Sequence, residues 1–109
     1  MTTIYGDYYA DIAIISAIKA FGIDMRYFLE HKERRLKECI IVRGVACKLL
    51  YDERMLTYQA IAKLFGKKSH ATIINAINET ANMRQHDKKY NSKYEKARKI
   101  FLNYLADSD

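Results

Sequence analysis

Apolar residues along this chain recur at helical rather than strand spacing. Between Asp11 and Phe21 (DIAIISAIKAF), Ile12, Ile15, Ile18 and Phe21 follow one another at intervals of three, a slow drift along one helix face. Gly22 can take the left-handed conformation that closes such a helix, and the Asp24 carboxylate can accept from the free amides of a short second helix, Met25 to His31. Lys32 to Lys37 (KERRLK) is too polar for a core and reads as a basic connector. A third helix, from about Glu38 to Tyr51, places Val42, Val45, Ala46 and Leu49 at core spacing, with Arg43 and Lys48 on the wet flank. It is expected to be the central helix.

Beyond a turn from Asp52 to Leu56, Thr57 can cap a helix that runs to about Phe65 and points Ile61, Ala62, Leu64 and Phe65 inward. Gly66 ends it. Ser69 then stands in the N-cap position of a helix to about Met83, whose buried stripe would be Ile73, Ile74, Ile77 and Ala81. Two helices joined by a glycine turn make a helix-turn-helix over residues 57–83. A polar stretch from His86 to Asn91 precedes a last helix, about Ser92 to Leu105, with Ala97, Phe101, Leu102 and Leu105 facing in. No run alternates with period two, so the expected fold is all-α: a compact five-to-six-helix domain spanning residues 1–109.

With 109 residues, half of them hydrophobic and 29% charged, the chain has the balance of one globular domain and not of a disordered one. No run of about 18 apolar residues could span a bilayer, and Asp7 and Asp11, with no Lys or Arg before them, reverse the charge order of a secretory signal. A soluble cytoplasmic protein is expected. Cys39 and Cys47 fall about 12 Å apart on one helix and cannot bridge. With only His31, His70 and His86 besides, no metal site is expected, and the cysteines read as small core residues. No paired carboxylates and no nucleophile beside a base occur at a recognisable spacing, so no catalytic residue is assigned. The stretch Gly66 to Ser69 (GKKS) is not a nucleotide loop, because Ile61 stands where the first glycine would be. No cofactor is expected.

The charge is unevenly placed. Residues 1–31 carry a net −2, residues 32–68 a net +6 and residues 69–109 a net +2. A cationic middle third fits a polyanion-binding face. The helix beginning at Ser69 would present unpaired amides and the positive end of its dipole, flanked by Lys67 and Lys68. His70, Ala71, Asn75 and Asn78 would project away from the isoleucine stripe. A helix of this kind fits the major groove of duplex DNA, where Asn and His can bond base edges and a small Ala leaves room for a thymine methyl.

The stretch FGKKSHATIINAI (Phe65 to Ile77), preceded by VACKLLYDERMLTYQAIAKL, resembles the C-terminal DNA-binding domain of the bacterial chromosomal replication initiator DnaA. That family carries a pattern F-G-x-[KR]-D-H-[ST]-T in its helix-turn-helix. The upstream IISAIKAFGIDMRYFLEHKERR resembles its opening helix, glycine turn and basic loop, so the likeness covers about residues 11–105. The resemblance implies a DnaA C-terminal, Trp-repressor-like fold that binds double-stranded DNA. It implies base contacts at Ser69, His70 and Ala71, and phosphate contacts at Thr72 and Lys68. Arg35 would enter the minor groove, Arg43 would meet a phosphate from the long helix, and Thr57, Tyr58 and Gln59 would touch DNA at the start of the first helix of the motif.

Two positions depart from the pattern. Ser69 replaces an Asp and Ala71 a hydroxyl residue, which implies altered base preference, while phosphate binding through Lys67, Lys68, Arg35 and Arg43 is independent of sequence. Without an ATPase domain the chain is expected to act as a stand-alone binder, Met1 and the polar ADSD reading as natural ends. Its role would lie in replication initiation, its regulation, or transcription regulation. The alternative is a protein-interaction module on the same scaffold with a lapsed DNA face, its partner surface being Tyr5, Tyr8 and Tyr9 ahead of the first helix.

Overall fold

Capping chemistry decides where the helices begin and stop. The computed structural model describes residues 4–66 and 68–108, and among them six helices and no strand are found. They are α1 (Tyr8–Phe21), α2 (Met25–His31), α3 (Lys37–Glu53), α4 (Tyr58–Leu64), α5 (His70–His86) and α6 (Lys88–Ser108). The fold is all-α. Asp24, Thr57 and Ser69 each accept from the amide three residues on, at 2.9, 3.1 and 3.2 Å, which satisfies a donor that the helix itself leaves free. Gly22 closes α1 with φ 66°.

Four boundaries and one buried stripe differ from the sequence reading, each for a physical reason. Asp7 accepts from Ala10 N at 3.0 Å, so α1 starts at Tyr8 rather than Asp11, and Tyr8 and Tyr9 belong to the helix instead of preceding it. At the far end of α3, Lys48 pairs with Asp52 at 2.8 Å and Glu53 with Arg98 at 3.1 Å. These pairs hold two more residues in the helix, and the expected turn at Asp52 begins only at Arg54. The predicted polar stretch from His86 to Asn91 shrinks to Asp87. Its amide bonds Met83 O at 2.9 Å and its carboxylate accepts from Tyr90 N at 3.0 Å, so one residue both closes α5 and opens α6. On α5, Ala81 is exposed, and Thr80 lies in the buried stripe with Ile73 and Ile77.

The core is built on α1 and α3. Helix α1 packs against both α3 and α6, and Ala10, Ala13, Ala17 and Ala20 are buried along with Ile12, Ile14 and Ile18. Ile15 and Phe21, expected inside, are half-buried. Helix α3 touches every other helix, as a central helix should. Its Gly44 faces α5 so closely that a Cβ there would sit 2.7 Å from Thr80 Oγ1. Cys39 and Cys47 are buried free thiols. Burial pushes the Cys47 thiol up to about 12, the nearby Arg43 charge opposing only in part, so it is protonated and inert at neutral pH.

The chain ahead of α1 is tied down by a buried carboxylate. Asp11 is only 4% exposed, and it accepts from Ile4 N at 3.1 Å and Tyr5 N at 2.7 Å. This satisfies the buried charge and folds the arm back over the domain.

Candidate nucleic-acid interface

The turn of the helix-turn-helix is drawn tight by its own backbone. Phe65 N bonds Ile61 O at 3.1 Å, Gly66 turns with φ 88°, and Lys68 N bonds Ala62 O at 3.2 Å. The first turns of α5 are left standing clear of the body: Ser69, His70, Ala71, Thr72 and Asn75 are all exposed. Ser69 Oγ accepts from Thr72 N and lies 2.9 Å from Thr72 Oγ1, so these two hydroxyls are turned toward each other.

The basic loop between α2 and α3 is joined to this tip. Lys68 Nζ meets Glu33 Oε2 at 2.6 Å, and Tyr5 OH donates to Glu33 Oε1 at 3.1 Å. The Tyr5 ring stands edge-on to Phe65, with centroids 4.8 Å apart, and Lys32 lies over its face while donating to Ile4 O at 2.6 Å. Arm, loop and α5 tip therefore share one side of the molecule. Arg35 is exposed on this loop and, with Lys37, borders a groove of about 400 Å³ between α3 and α5 that is lined by Ile40, Gly44, Ala76 and Thr80.

Burial alone would raise the Glu33 pKa, but hydrogen bonds from Lys68 and Tyr5 and the charges of Lys68 and Arg43 outweigh it and hold the carboxyl below its ordinary value. A depressed carboxyl pKa means that the tie to Lys68 is fully present above the ordinary glutamate value and is lost as pH falls through the lowered one. It is intact at neutral pH. Burial first, and then the charge and hydrogen bond of Glu33, push the Tyr5 phenol well up, so it stays a donor.

Arg43, to which the resemblance gives a phosphate, is engaged within the fold. Half-buried on α3, it donates to the carbonyls of Lys32 and, at 3.1 Å, Arg34, which clamps the basic loop from beneath. Thr57 Oγ1 is used to cap α4, Tyr58 stacks on Tyr51 with centroids 4.9 Å apart, and Gln59 is exposed. These three lie beside the C-terminal end of α3, whereas the basic loop enters its N-terminal end, roughly 21 Å away at 1.5 Å per residue. Lys67 lies outside the described residues.

Glu33 is absent from the sequence reading, which names Tyr5 only as part of a partner surface. Glu33 is an acid inside a run of bases, and its partner Lys68 is 35 residues away, so no local pattern marks the pair. Among the described residues no group of three potential metal ligands is found, and no helix is long and apolar enough to cross a membrane.

No protein-family model and no solved structure matches the chain at a significant level. Among curated proteins it is similar to the chromosomal replication initiator protein DnaA of Geobacter metallireducens, 32% identical over an alignment of 101 residues that takes in 83% of this chain. The chain spans 22% of that relative's length, about a fifth. The resemblance carried by the helix-turn-helix and its flanking helices is thus matched among curated proteins, and the chain is similar to a DnaA C-terminal domain.

Proposed function

We propose that this domain binds double-stranded DNA, with α5 in the major groove and Arg35 of the basic loop in the adjacent minor groove. The observation that carries the reading is the Lys68–Glu33 tie, which sets the exposed tip of α5 and the loop bearing Arg35 on one side. His70, Ala71 and Asn75 face base edges in this reading, and Lys67, Lys68 and Thr72 face phosphates. The start of α4, at Thr57, Tyr58 and Gln59, meets the backbone farther along. The roughly 21 Å of α3 between the loop and that start is of the order of half a duplex turn, ~17 Å. Arg43 serves by clamping the loop that carries Arg35. Ser69 acts as a helix cap first and a base contact second, which, with Ala71, shifts base preference away from the family pattern.

The domain would act at sites resembling initiator boxes, in replication initiation or its regulation, or in transcription regulation. The competing protein-interaction reading draws on tyrosines that are engaged within the fold. Tyr5 packs on Phe65, and the Arg54 guanidinium lies 4.0 Å from the Tyr9 ring.

A salt titration tests the proposal. If three phosphates are neutralised, log K against log salt falls with a slope of roughly −3 on duplex DNA. A flat response, or no duplex binding at about 50 mM salt, overturns it. Glu33→Gln should keep a partner for Tyr5 while releasing Lys68 to a phosphate. Binding to every duplex then tightens severalfold and the slope steepens by up to about 1, as fluorescence anisotropy would record. Unchanged binding in this variant would show that the tie does not compete with DNA.

A further inference from the structure

The strip of α5 lying opposite its buried side consists of one small residue and three amides. At 100° per residue, Ala71, Asn75, Asn78 and Asn82 fall within an arc of about 60°, nearly diametrically across from Ile73, Ile77 and Thr80. All four are exposed, and the three asparagine amides make no hydrogen bond within the described residues. The other polar groups at the tip are partly engaged: the Ser69 hydroxyl caps the helix, and the Thr72 hydroxyl lies against it. Ala71 offers neither donor nor acceptor. Of the groups on the outer face able to form two hydrogen bonds to one base edge, the asparagines nearest the tip are Asn75 and Asn78.

We infer that Asn75 and Asn78 read adenines in the major groove, so that the ligand of this domain is a duplex with adenine at two neighbouring positions. The inference rests on the DNA-binding reading above and adds the base identity to it. An asparagine amide donates to adenine N7 and accepts from its N6 amino group, a pairing that no other base edge reproduces. The two residues are separated by about 4.5 Å along the helix axis, against a base-pair rise of about 3.4 Å, so they reach adjacent or next-but-one pairs. Ala71, one turn nearer the tip, leaves space for the methyl of a thymine. Discrimination is thereby carried deeper along α5 than the cap position, where a serine hydroxyl is committed to the backbone.

Selection from a pool of random duplexes, followed by replacement of each selected adenine with 7-deazaadenine, tests the assignment. The wild-type chain is expected to select adenine at two nearby positions and to lose roughly tenfold or more in affinity when either loses its N7 acceptor. Asn75→Ala and Asn78→Ala should each lose the preference at one of those positions and be indifferent to 7-deazaadenine there. Selected sites without adenine, or an adenine preference that survives both substitutions, overturn the inference while leaving duplex binding standing. A pool from which the wild-type chain retains nothing overturns the DNA-binding reading itself.

Discussion

Lys68→Glu is expected to weaken binding to every duplex by about 10- to 150-fold, the value of one lost charge-assisted hydrogen bond at about 1.5–3 kcal/mol. The substitution replaces the proposed phosphate donor with an acid placed beside Glu33, which already sits 2.6 Å from the Lys68 ammonium. Two carboxylates would then face an incoming backbone. Because a phosphate contact carries no base information, the loss should be uniform across sequences, and the salt slope should fall by about 1. Lys68 is only part-buried and its ion pair is exposed, so thermal stability should change by no more than about 0.5 kcal/mol. Anisotropy titrations on matched and unmatched duplexes check the first point, and a melting curve the second. A loss confined to one sequence would mean that Lys68 reads a base.

Phe101→Ala should have the largest effect on stability, about 3–5 kcal/mol, through lost transfer energy and the cavity left behind. Phe101 is fully buried on α6, the helix that packs most closely on α1, and alanine cannot fill that space. For a domain of this size each kcal/mol lowers Tm by roughly 4–8 °C, so a fall of at least about 12 °C is expected by calorimetry. A change of only a few degrees would show that α6 contributes little to the folding unit. The site of Lys68 and the site of Phe101 lie on different helices, so the two effects separate binding from folding.

Local hydrogen bonding was the legible part of this chain. Asp24, Thr57 and Ser69 are caps because a side chain of the right length meets an amide three residues on, and the same sequence window contains both partners. Asp7 and Asp87 use the same chemistry but are not marked in the sequence, since tyrosines and lysines follow them where an apolar run would announce a helix. The isoleucine spacing, continued by four, predicts Ala81 inward. The face that meets α3 instead turns through Thr80, whose hydroxyl bonds Ala76 O at 2.9 Å against Gly44. In the candidate site, the exposed tip of α5 and the basic loop followed from polarity and turn chemistry. The Lys68–Glu33 tie, the Arg43 clamp and the Tyr5 brace join residues from 9 to 60 positions apart, and such pairings are set by how helices pack.

The Arg43 clamp bears on association kinetics. A loop whose carbonyls are already gripped by a guanidinium fork surrenders little conformational freedom when it docks, and immobilising each rotamer-rich side chain otherwise costs about 0.5–1.5 kcal/mol. The fork is also particular to arginine, because a lysine ammonium is a point charge that cannot span two carbonyls in the same fixed geometry. In the proposed complex, preshaping of this kind lowers the ordering cost of docking and favours a preformed loop over slow induced fit.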